Sequence, residues 1–175
     1  MIDCRQEKAV GYKDGVAFEL TVVTVDGKPV EVSTANAFAQ MARAAAGDGV
    51  EIKVVSGFRT MDEQEYFWGC YQSGECNNGN LAAKPGYSNH QSGHALDLNT
   101  AAPGVSAWMQ AHAADYGFAN TVPSEPWHWE WWGGGPPAPA CVDRADPPVV
   151  LEIRGRTVAG LLLGLAAVAV WRLTR

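Results

Sequence analysis

The sequence lacks the marks of several common classes of protein. Its cysteines number 4, and none has the paired C-x-x-C spacing of a structural zinc site. Basic residues are scarce, with 13 lysines and arginines against 19 aspartates and glutamates and a net charge of −6. An acidic protein is poorly suited to bind nucleic acid, so we expect no such partner. No internal repeat is evident, and the apolar fraction of 47% suffices for one folded core.

A secretory leader is also missing from the sequence. The first residues, Met1-Ile2-Asp3-Cys4, are followed by charged residues and not by an apolar run. If the protein acts outside the cytoplasm, we expect an unconventional export route, a leader already removed, or release by lysis.

The apolar run near the carboxyl terminus is too short for an ordinary membrane span. Val158–Trp171 lies between arginines and is apolar on every side, but a spanning helix needs about 20 residues. We predict a short C-terminal membrane anchor or sorting tail, with membrane contact through residues 157–173. A buried hairpin partner or an oligomerisation helix is the alternative.

The four cysteines suggest two disulfides. Cys70 and Cys76 enclose a short loop, and Cys4 and Cys141 stand near the two ends of the predicted domain. Extracytoplasmic chains with four cysteines usually pair them. We therefore predict the bridges Cys70–Cys76 and Cys4–Cys141, with four unpaired buried thiols as the alternative.

Hydrophobic patterning predicts alternating strands and helices. We expect a polar lead-in over residues 1–15, and then a hairpin that turns at Asp26-Gly27. A capping box between Thr60 and Glu63 predicts a helix that starts near Met61. The remaining predicted elements are a helix at 35–46 capped by Ser33 or Thr34, a strand at 51–55, a strand at 94–98, a helix at 107–116 capped by Ser106 and stopped by Gly117, and a strand at 127–132.

Two short stretches carry the residue types of a catalytic zinc site. The first, 88–97, contains His90, His94 and Asp97, and the second, 125–128, contains Glu125 and His128. A catalytic zinc takes about three protein ligands and keeps a position for water, whose pKa it lowers to about 7. A carboxylate beside such a site can carry the proton. The two stretches together therefore indicate a zinc peptidase.

Strand geometry assigns roles within the first stretch. If residues 94–98 form a strand, Leu96 and Leu98 face the core and Asp97 faces the opposite side. His90 then joins Asp97 across the turn that Gly93 permits. His94 is a rival ligand, but no glutamate follows His90 and no helical period surrounds it.

The second stretch is predicted to be a loop that enters a strand. Pro126 disfavours a helix, and the tryptophans that follow favour a strand. On that strand His128 and Glu130 share a face. His128 becomes the third ligand and Glu125 the general base, with Glu130 as the competing base.

These motifs resemble the zinc D-Ala-D-Ala carboxypeptidase family. The pattern Ser88-x-His90-x-x-Gly93-x-Ala95-x-Asp97, followed by Glu125-x-Trp127-His128, looks like the two motifs of that family in order. The resemblance covers roughly residues 16–132. It implies that His90, Asp97 and His128 bind one zinc ion and that Glu125 is the catalytic base.

The resemblance extends to an upstream arginine. The segment Ser56-Gly57-Phe58-Arg59-Thr60 is similar to a family segment that has tyrosine and serine where this chain has Phe58 and Thr60. Arg59 would hold a substrate carboxylate or the developing oxyanion, or else form a surface salt bridge. Gln64 and Ser88 are predicted substrate contacts, with solvent exposure and turn stabilisation as their respective alternatives.

The sequence as a whole predicts an α+β fold with a small, mostly antiparallel sheet and flanking helices, as the resemblance to D-Ala-D-Ala peptidases and the hedgehog signalling domain implies. We predict a zinc peptidase domain at 1–132, a Gly/Pro-rich linker at 133–148 and an apolar helix at 149–175. The expected function is extracytoplasmic hydrolysis of peptidoglycan stem peptides, most simply at D-Ala-D-Ala. An L-Ala-D-Glu or cross-link endopeptidase and a non-catalytic zinc module are the alternatives.

Overall fold

The computed structural model describes residues 1–135 and Cys141, which form two antiparallel sheets and three α-helices. By its contacts the chain divides into the units Met1–Asp143 and Arg144–Arg175, and all described residues belong to the first. Within the described part, no helix is long and apolar enough to cross a membrane. The predicted C-terminal helix lies outside the described residues, as does the predicted linker beyond residue 135. The predicted α+β class is confirmed, although two sheets take the place of the single one expected.

The first sheet contains three strands in the order β1 (Ile2–Lys13), β2 (Val16–Val25) and β3 (Lys28–Glu31). The predicted turn at Asp26-Gly27 is present, and both residues have the positive φ angles, 50° and 80°, of a tight hairpin. The prediction of a polar lead-in at the amino terminus was wrong, because β1 pairs with β2 along almost its whole length. Most side chains of β1 are exposed, so its polar composition is compatible with a strand.

The second sheet has the order β4 (Val54–Ser56), β5 (Ala95–Leu98), β7 (His128–Trp131) and β6 (Phe118–Ala119). Its two central strands are β5 and β7. They pair so that Leu96 lies opposite Trp129 and Asp97 opposite His128. Leu96, Leu98 and Trp129 are buried in the main core, whereas Asp97 is partly open on the other side. The predicted faces of the strand at 94–98 are therefore confirmed.

Three helices cover the core: α1 (Val32–Gly47), α2 (Met61–Ser73) and α3 (Val105–His112). The predicted capping box of Thr60 and Glu63 is confirmed at α2. The predicted cap of α1 was wrong, because the Glu31 carboxylate accepts the backbone N–H groups of Ser33 and Thr34 at 2.9 Å. The helix predicted at 107–116 begins earlier, at Val105, and tightens to a 3₁₀ turn over Ala113–Tyr116 before the left-handed Gly117.

The β1–β2 hairpin packs against the loop that carries the first motif. The Tyr12 N–H donates to Gln91 O at 3.0 Å, and the Gly15 N–H donates to Gly86 O at 2.9 Å. Gly11 makes this approach possible, since a Cβ there would lie 2.9 Å from Gln91 O. The hairpin thus holds residues 86–91 in place through hydrogen bonds to their backbone.

Both predicted disulfides, Cys4–Cys141 and Cys70–Cys76, are present. They enclose very different lengths of chain, with sequence separations of 137 and 6. The entropy that a bridge removes from the unfolded chain grows with loop length, which gives about 5 kcal/mol for the long loop and about 2 kcal/mol for the short one.

We therefore expect the double variant Cys4→Ser/Cys141→Ser to melt at a clearly lower temperature than Cys70→Ser/Cys76→Ser. Thermal unfolding followed by circular dichroism measures the two temperatures. Equal losses in the two variants would contradict this expectation.

Candidate metal centre

Three ligand-type side chains converge where β5 and β7 pair. Asp97 on β5 lies opposite His128 on β7, and His90 reaches the same point from the preceding loop. The Asp97 Oδ1 atom lies 3.3 Å from His90 Nε2 and 3.3 Å from His128 Nδ1. One ligand atom from each of the three residues falls within 4.8 Å of the others. The structure thus brings together the three residues that the sequence predicted as ligands.

The other nitrogen of each histidine ring is hydrogen-bonded to a group that can only accept. His90 Nδ1 donates to Gly57 O at 2.8 Å. His128 Nε2 donates to the Glu130 carboxylate at 3.0 Å. With these tautomers, His90 Nε2 and His128 Nδ1 would be the ring nitrogens offered to a metal ion beside Asp97. Outer partners of this kind fix the ring orientation of metal-binding histidines.

This donor set fits a zinc ion. Two imidazoles and one carboxylate are among the usual protein ligands of catalytic zinc. With zinc–ligand bonds of about 2.0 Å, neighbouring corners of a tetrahedron lie about 3.3 Å apart. Both distances from Asp97 Oδ1 to the histidines have that value, 3.3 Å. The ligand types and their spacing are therefore compatible with a zinc ion.

Asp97 is held as a carboxylate by its neighbours. Burial by itself raises the Asp97 pKa, but hydrogen bonds with His128 and His90 and the charge of Arg59 bring that pKa well below its usual range. The second oxygen, Oδ2, accepts from Arg59 Nη2 at 3.0 Å. Burial lowers the pKa of His90, which favours the neutral ring that a metal requires. Burial acts in the same direction at His128, but its hydrogen bonds with Asp97 and Glu130 raise that pKa overall.

Glu125 lies beside this cluster in the loop before β7. Its backbone is fixed, because its carbonyl accepts from the Asn120 amide at 2.8 Å and from the His128 N–H at 3.0 Å. Its side chain is half-buried and lines the same cleft as the three candidate ligands. Desolvation raises the Glu125 pKa, Asp97 adds to this effect, and His128 and Arg59 oppose it. A partly buried carboxylate with a raised pKa suits a general base.

Glu130, the competing base in the sequence prediction, is placed differently. Its side chain is only 4% exposed. It is hydrogen-bonded to the side chains of Asn89, Thr121, His128 and Trp132, which lower its pKa to about 2 despite its burial. A carboxylate with its oxygens occupied in this way cannot readily collect a proton from substrate, so the structure disfavours Glu130 as the base.

Arg59 lines the cleft but is not the surface ion pair considered as an alternative. Its side chain is 15% exposed, and its guanidinium pairs with Asp97 and lies over the Phe67 ring, 4.6 Å from the ring centre. Burial lowers its pKa, and the charges of Asp97 and Glu125 counteract this. Within the described residues, Arg59 Nε is buried without a hydrogen-bond partner, so the donors of the side chain are only partly used.

The prediction that Gln64 contacts substrate must be corrected. Gln64 is completely buried, its amide donates to Ala83 O at 2.8 Å, and its oxygen lies 3.5 Å from Arg59 Nη1. It therefore holds Arg59 and the loop that contains Ala83 in place, and it does not line the cleft. Ser88 lines the cleft but is mostly buried, and its hydroxyl accepts from the His90 N–H at 3.3 Å.

His94, the rival ligand, takes no part in the cluster. Its ring stacks on Trp132 with 4.1 Å between ring centres, and its Nδ1 donates to Trp131 O at 3.0 Å. Its ring therefore makes its contacts with residues at the end of β7 and not with the candidate metal centre.

The cleft above the cluster has a volume of about 530 Å³. One wall is the loop that follows α2, which the Cys70–Cys76 bridge closes at its base. The lining combines polar groups with a few apolar ones and includes Lys28, Ser56, Phe67, Asn77, Asn80, Leu81, Tyr87, Asn89, Val122 and Trp127. A cleft of this size is within the range of small-molecule and peptide sites.

The fold thus brings one carboxylate and two imidazoles together at a candidate metal site, with the further carboxylate of Glu125 in the same cleft. Residues 27–134 match the family described as VanY, D-alanyl-D-alanine carboxypeptidase. This span is well over half of the chain, so the chain belongs to that family. The resemblance recognised in the sequence is thereby confirmed.

A curated relative agrees with this assignment. YodJ of Bacillus subtilis (strain 168), whose own naming as a carboxypeptidase is provisional, is 30% identical in an alignment of length 127 that covers 59% of this chain and 46% of YodJ. The chain therefore spans about half the length of this relative.

Solved structures share the fold. VanYB in complex with D-alanine-D-alanine has a TM-score of 0.57 and 24% identity, over 66% of this chain and 79% of that one. A variant of the vancomycin-resistance D,D-pentapeptidase VanY in complex with Zn(II) has a TM-score of 0.53 and 22% identity, over 75% and 83%. The LD-carboxypeptidase LdcB has a TM-score of 0.50 and 28% identity, over 60% of each chain.

Proposed function

We propose that the protein is a zinc-dependent peptidase that hydrolyses peptidoglycan stem peptides, most directly by removing the terminal D-Ala from D-Ala-D-Ala. The observation that carries this proposal is the placement of Glu125, a partly open carboxylate, in the same cleft as the His90, Asp97 and His128 cluster. Family membership and the titles of the solved relatives support the choice of substrate.

The proposed chemistry divides between a metal and the side chains of the cleft. A zinc ion held by His90, Asp97 and His128 would polarise the substrate carbonyl and lower the pKa of a water to about 7. Glu125 takes the proton of the attacking water and returns it to the leaving amine. Arg59 donates hydrogen bonds to the carbonyl oxygen as negative charge develops there.

A second reaction is supported by one comparison. LdcB is an LD-carboxypeptidase and shares 28% identity with this chain. Removal of a D-Ala that follows an L-residue uses the same cleft and the same chemistry. An endopeptidase that cuts L-Ala-D-Glu or a cross-link is the remaining catalytic alternative, and a zinc-binding module without turnover is the non-catalytic one.

We place this activity outside the cytoplasm, where peptidoglycan lies. Both disulfides fit an oxidising compartment, since such bridges rarely persist in the cytosol. The membrane anchor predicted from residues 157–173 lies outside the described residues and is not part of this proposal.

Digestion of purified peptidoglycan tests the proposal. The zinc-loaded protein is incubated with two preparations of peptidoglycan, one rich in pentapeptide stems and one rich in tetrapeptide stems. The products are identified by mass spectrometry. Loss of one D-Ala from the pentapeptide supports a D,D-carboxypeptidase, and loss from the tetrapeptide supports an L,D-carboxypeptidase. New internal ends would indicate an endopeptidase, and the absence of any product with zinc bound would overturn the peptidase assignment.

A further inference from the structure

Glu130 is a buried carboxylate that hydrogen bonds hold on both of its oxygens. Its Oε1 atom accepts from Asn89 Nδ2 at 2.8 Å and from His128 Nε2 at 3.0 Å. Its Oε2 atom accepts from the indole N–H of Trp132 at 2.8 Å. The Thr121 side chain is a further partner. The site thus surrounds an acidic side chain with donor groups.

We propose that Glu130 is a positioning residue that fixes the tautomer and the orientation of His128 for metal binding. His128 shares a strand face with Glu130, so their side chains lie on the same side of β7. Both ring nitrogens of His128 face a carboxylate, but Glu130 Oε1 is the nearer partner, 3.0 Å from Nε2, whereas Asp97 Oδ1 lies 3.3 Å from Nδ1. A metal ion that took Nδ1 would require the ring proton to be on Nε2, where the Glu130 carboxylate accepts it. This role deepens the proposed function, because it concerns how the same metal site is assembled.

The surroundings of Glu130 also connect the two sequence motifs. Asn89 stands between Ser88 and His90 in the first motif, and its side chain donates to the carboxylate of Glu130, which lies on the strand that continues the second motif. One carboxylate oxygen therefore sets the position of His128 relative to the loop that carries His90. The pairing of Asp97 with His128 supplies the second constraint.

A neutral side chain of the same shape would not satisfy this arrangement. Glutamine has one accepting end and one donating end, whereas both Glu130 oxygens face donors. In Glu130→Gln the amide NH₂ must therefore face either the Trp132 indole N–H or the donors of Asn89 and His128. If the NH₂ faces the half-exposed Trp132, that indole loses its acceptor and His128 keeps only a neutral, weaker one. If the NH₂ faces Asn89 and His128, it opposes two donors and releases the orientation of His128.

Zinc affinity is the readout that tests this role, because it needs no substrate and no turnover. Zinc is titrated into the metal-free protein against a chromophoric chelator at one fixed pH. We expect Glu130→Gln to bind zinc about 10- to 100-fold more weakly than the wild type, as loss of an outer partner of a metal-bound histidine usually does. Glu19→Gln, an exposed glutamate that pairs with Lys8 on the hairpin, is the matched control and should bind as the wild type does.

A gentler variant covers the case in which Glu130→Gln fails to fold. Trp132→Phe keeps an aromatic ring against His94 but removes the donor to Glu130 Oε2. We expect it to fold and to bind zinc several-fold more weakly. Wild-type zinc affinity in folded Glu130→Gln would overturn the proposal, as would wild-type affinity in Trp132→Phe if the first variant does not fold. A wild-type protein that binds zinc but cleaves no stem peptide would refute the peptidase function and leave this proposal standing.

Discussion

Replacing Glu125 by alanine or glutamine is expected to slow turnover by orders of magnitude while zinc binding stays intact. The Glu125 carboxyl lines the cleft but is not one of the three converging ligands, so its removal does not disturb the donor atoms. A positioned general base usually contributes about 10²- to 10⁴-fold to the rate. We expect kcat to fall by that factor, measured on a D-Ala-D-Ala peptide with the zinc content determined in parallel.

His128→Ala is the variant that gives this experiment its contrast. It removes a ligand from the pairing with Asp97, so both zinc binding and turnover should be lost. Wild-type activity in Glu125→Ala would exclude Glu125 as the base. Loss of zinc in Glu125→Gln would instead show that Glu125 acts at the metal site itself.

Gly57→Ala is expected to destabilise the fold and to weaken zinc binding through the hydrogen bond between Gly57 O and His90. Gly57 is buried, and a Cβ at this position would collide with Pro29 O and lie 2.8 Å from Val30 Cγ2. Pro29 O accepts the Phe58 N–H at 2.7 Å, and Gly57 O accepts from His90 Nδ1. We expect the variant to lose about 1–3 kcal/mol of folding free energy through overpacking. The displaced acceptor of His90 should also weaken zinc binding about 10-fold.

Gly69→Ala is the matched control for that substitution. Gly69 lies within α2, and a Cβ there would meet nothing within 4 Å. Alanine is favoured over glycine inside a helix by about 1 kcal/mol, so this variant should be as stable as the wild type or more so. Urea denaturation measures both free energies of unfolding. An unperturbed Gly57→Ala protein would show that strand β3, which carries Pro29 and Val30, can move away without affecting His90.

The ligands of the candidate site could be predicted because their signal is local. His90 and Asp97 stand in one short segment, and strand alternation alone orients Asp97 away from Leu96 and Leu98. The partners behind the ligands could not be predicted in the same way. Gly57 precedes His90 by 33 residues, and nothing in its sequence context shows that its carbonyl will accept from that ring.

The role of Glu130 could be predicted only in part from the sequence. Placing His128 and Glu130 on one strand face was correct, and that same face is what brings the two side chains into contact. Choosing between a base and a positioning role required the burial of the carboxylate and the donors around it. Those donors come from the distant Asn89 and from Trp132, so their arrangement depends on tertiary structure.

The fold was predictable where turns and caps have strong local chemistry. Asp26-Gly27 and the Thr60–Glu63 box are examples, and both are present. The first strand was missed because its residues are mostly polar and few of them reach the core. Gln64 was misplaced for a related reason, since its burial is stabilised by a bond to Ala83 O that the helical pattern does not reveal.

The hairpin that supports the first motif begins before the family match does. The match starts at residue 27, whereas β1 and β2 occupy residues 2–25 and bond to Gln91 and Gly86. A fragment cut at residue 27 would leave those two carbonyl groups without their donors and would uncover the apolar side of Phe58. The region recognised by similarity is therefore smaller than the unit that must fold cooperatively. Expression of the family region alone should give an aggregation-prone protein, whereas adding the hairpin back as a separate peptide should restore solubility.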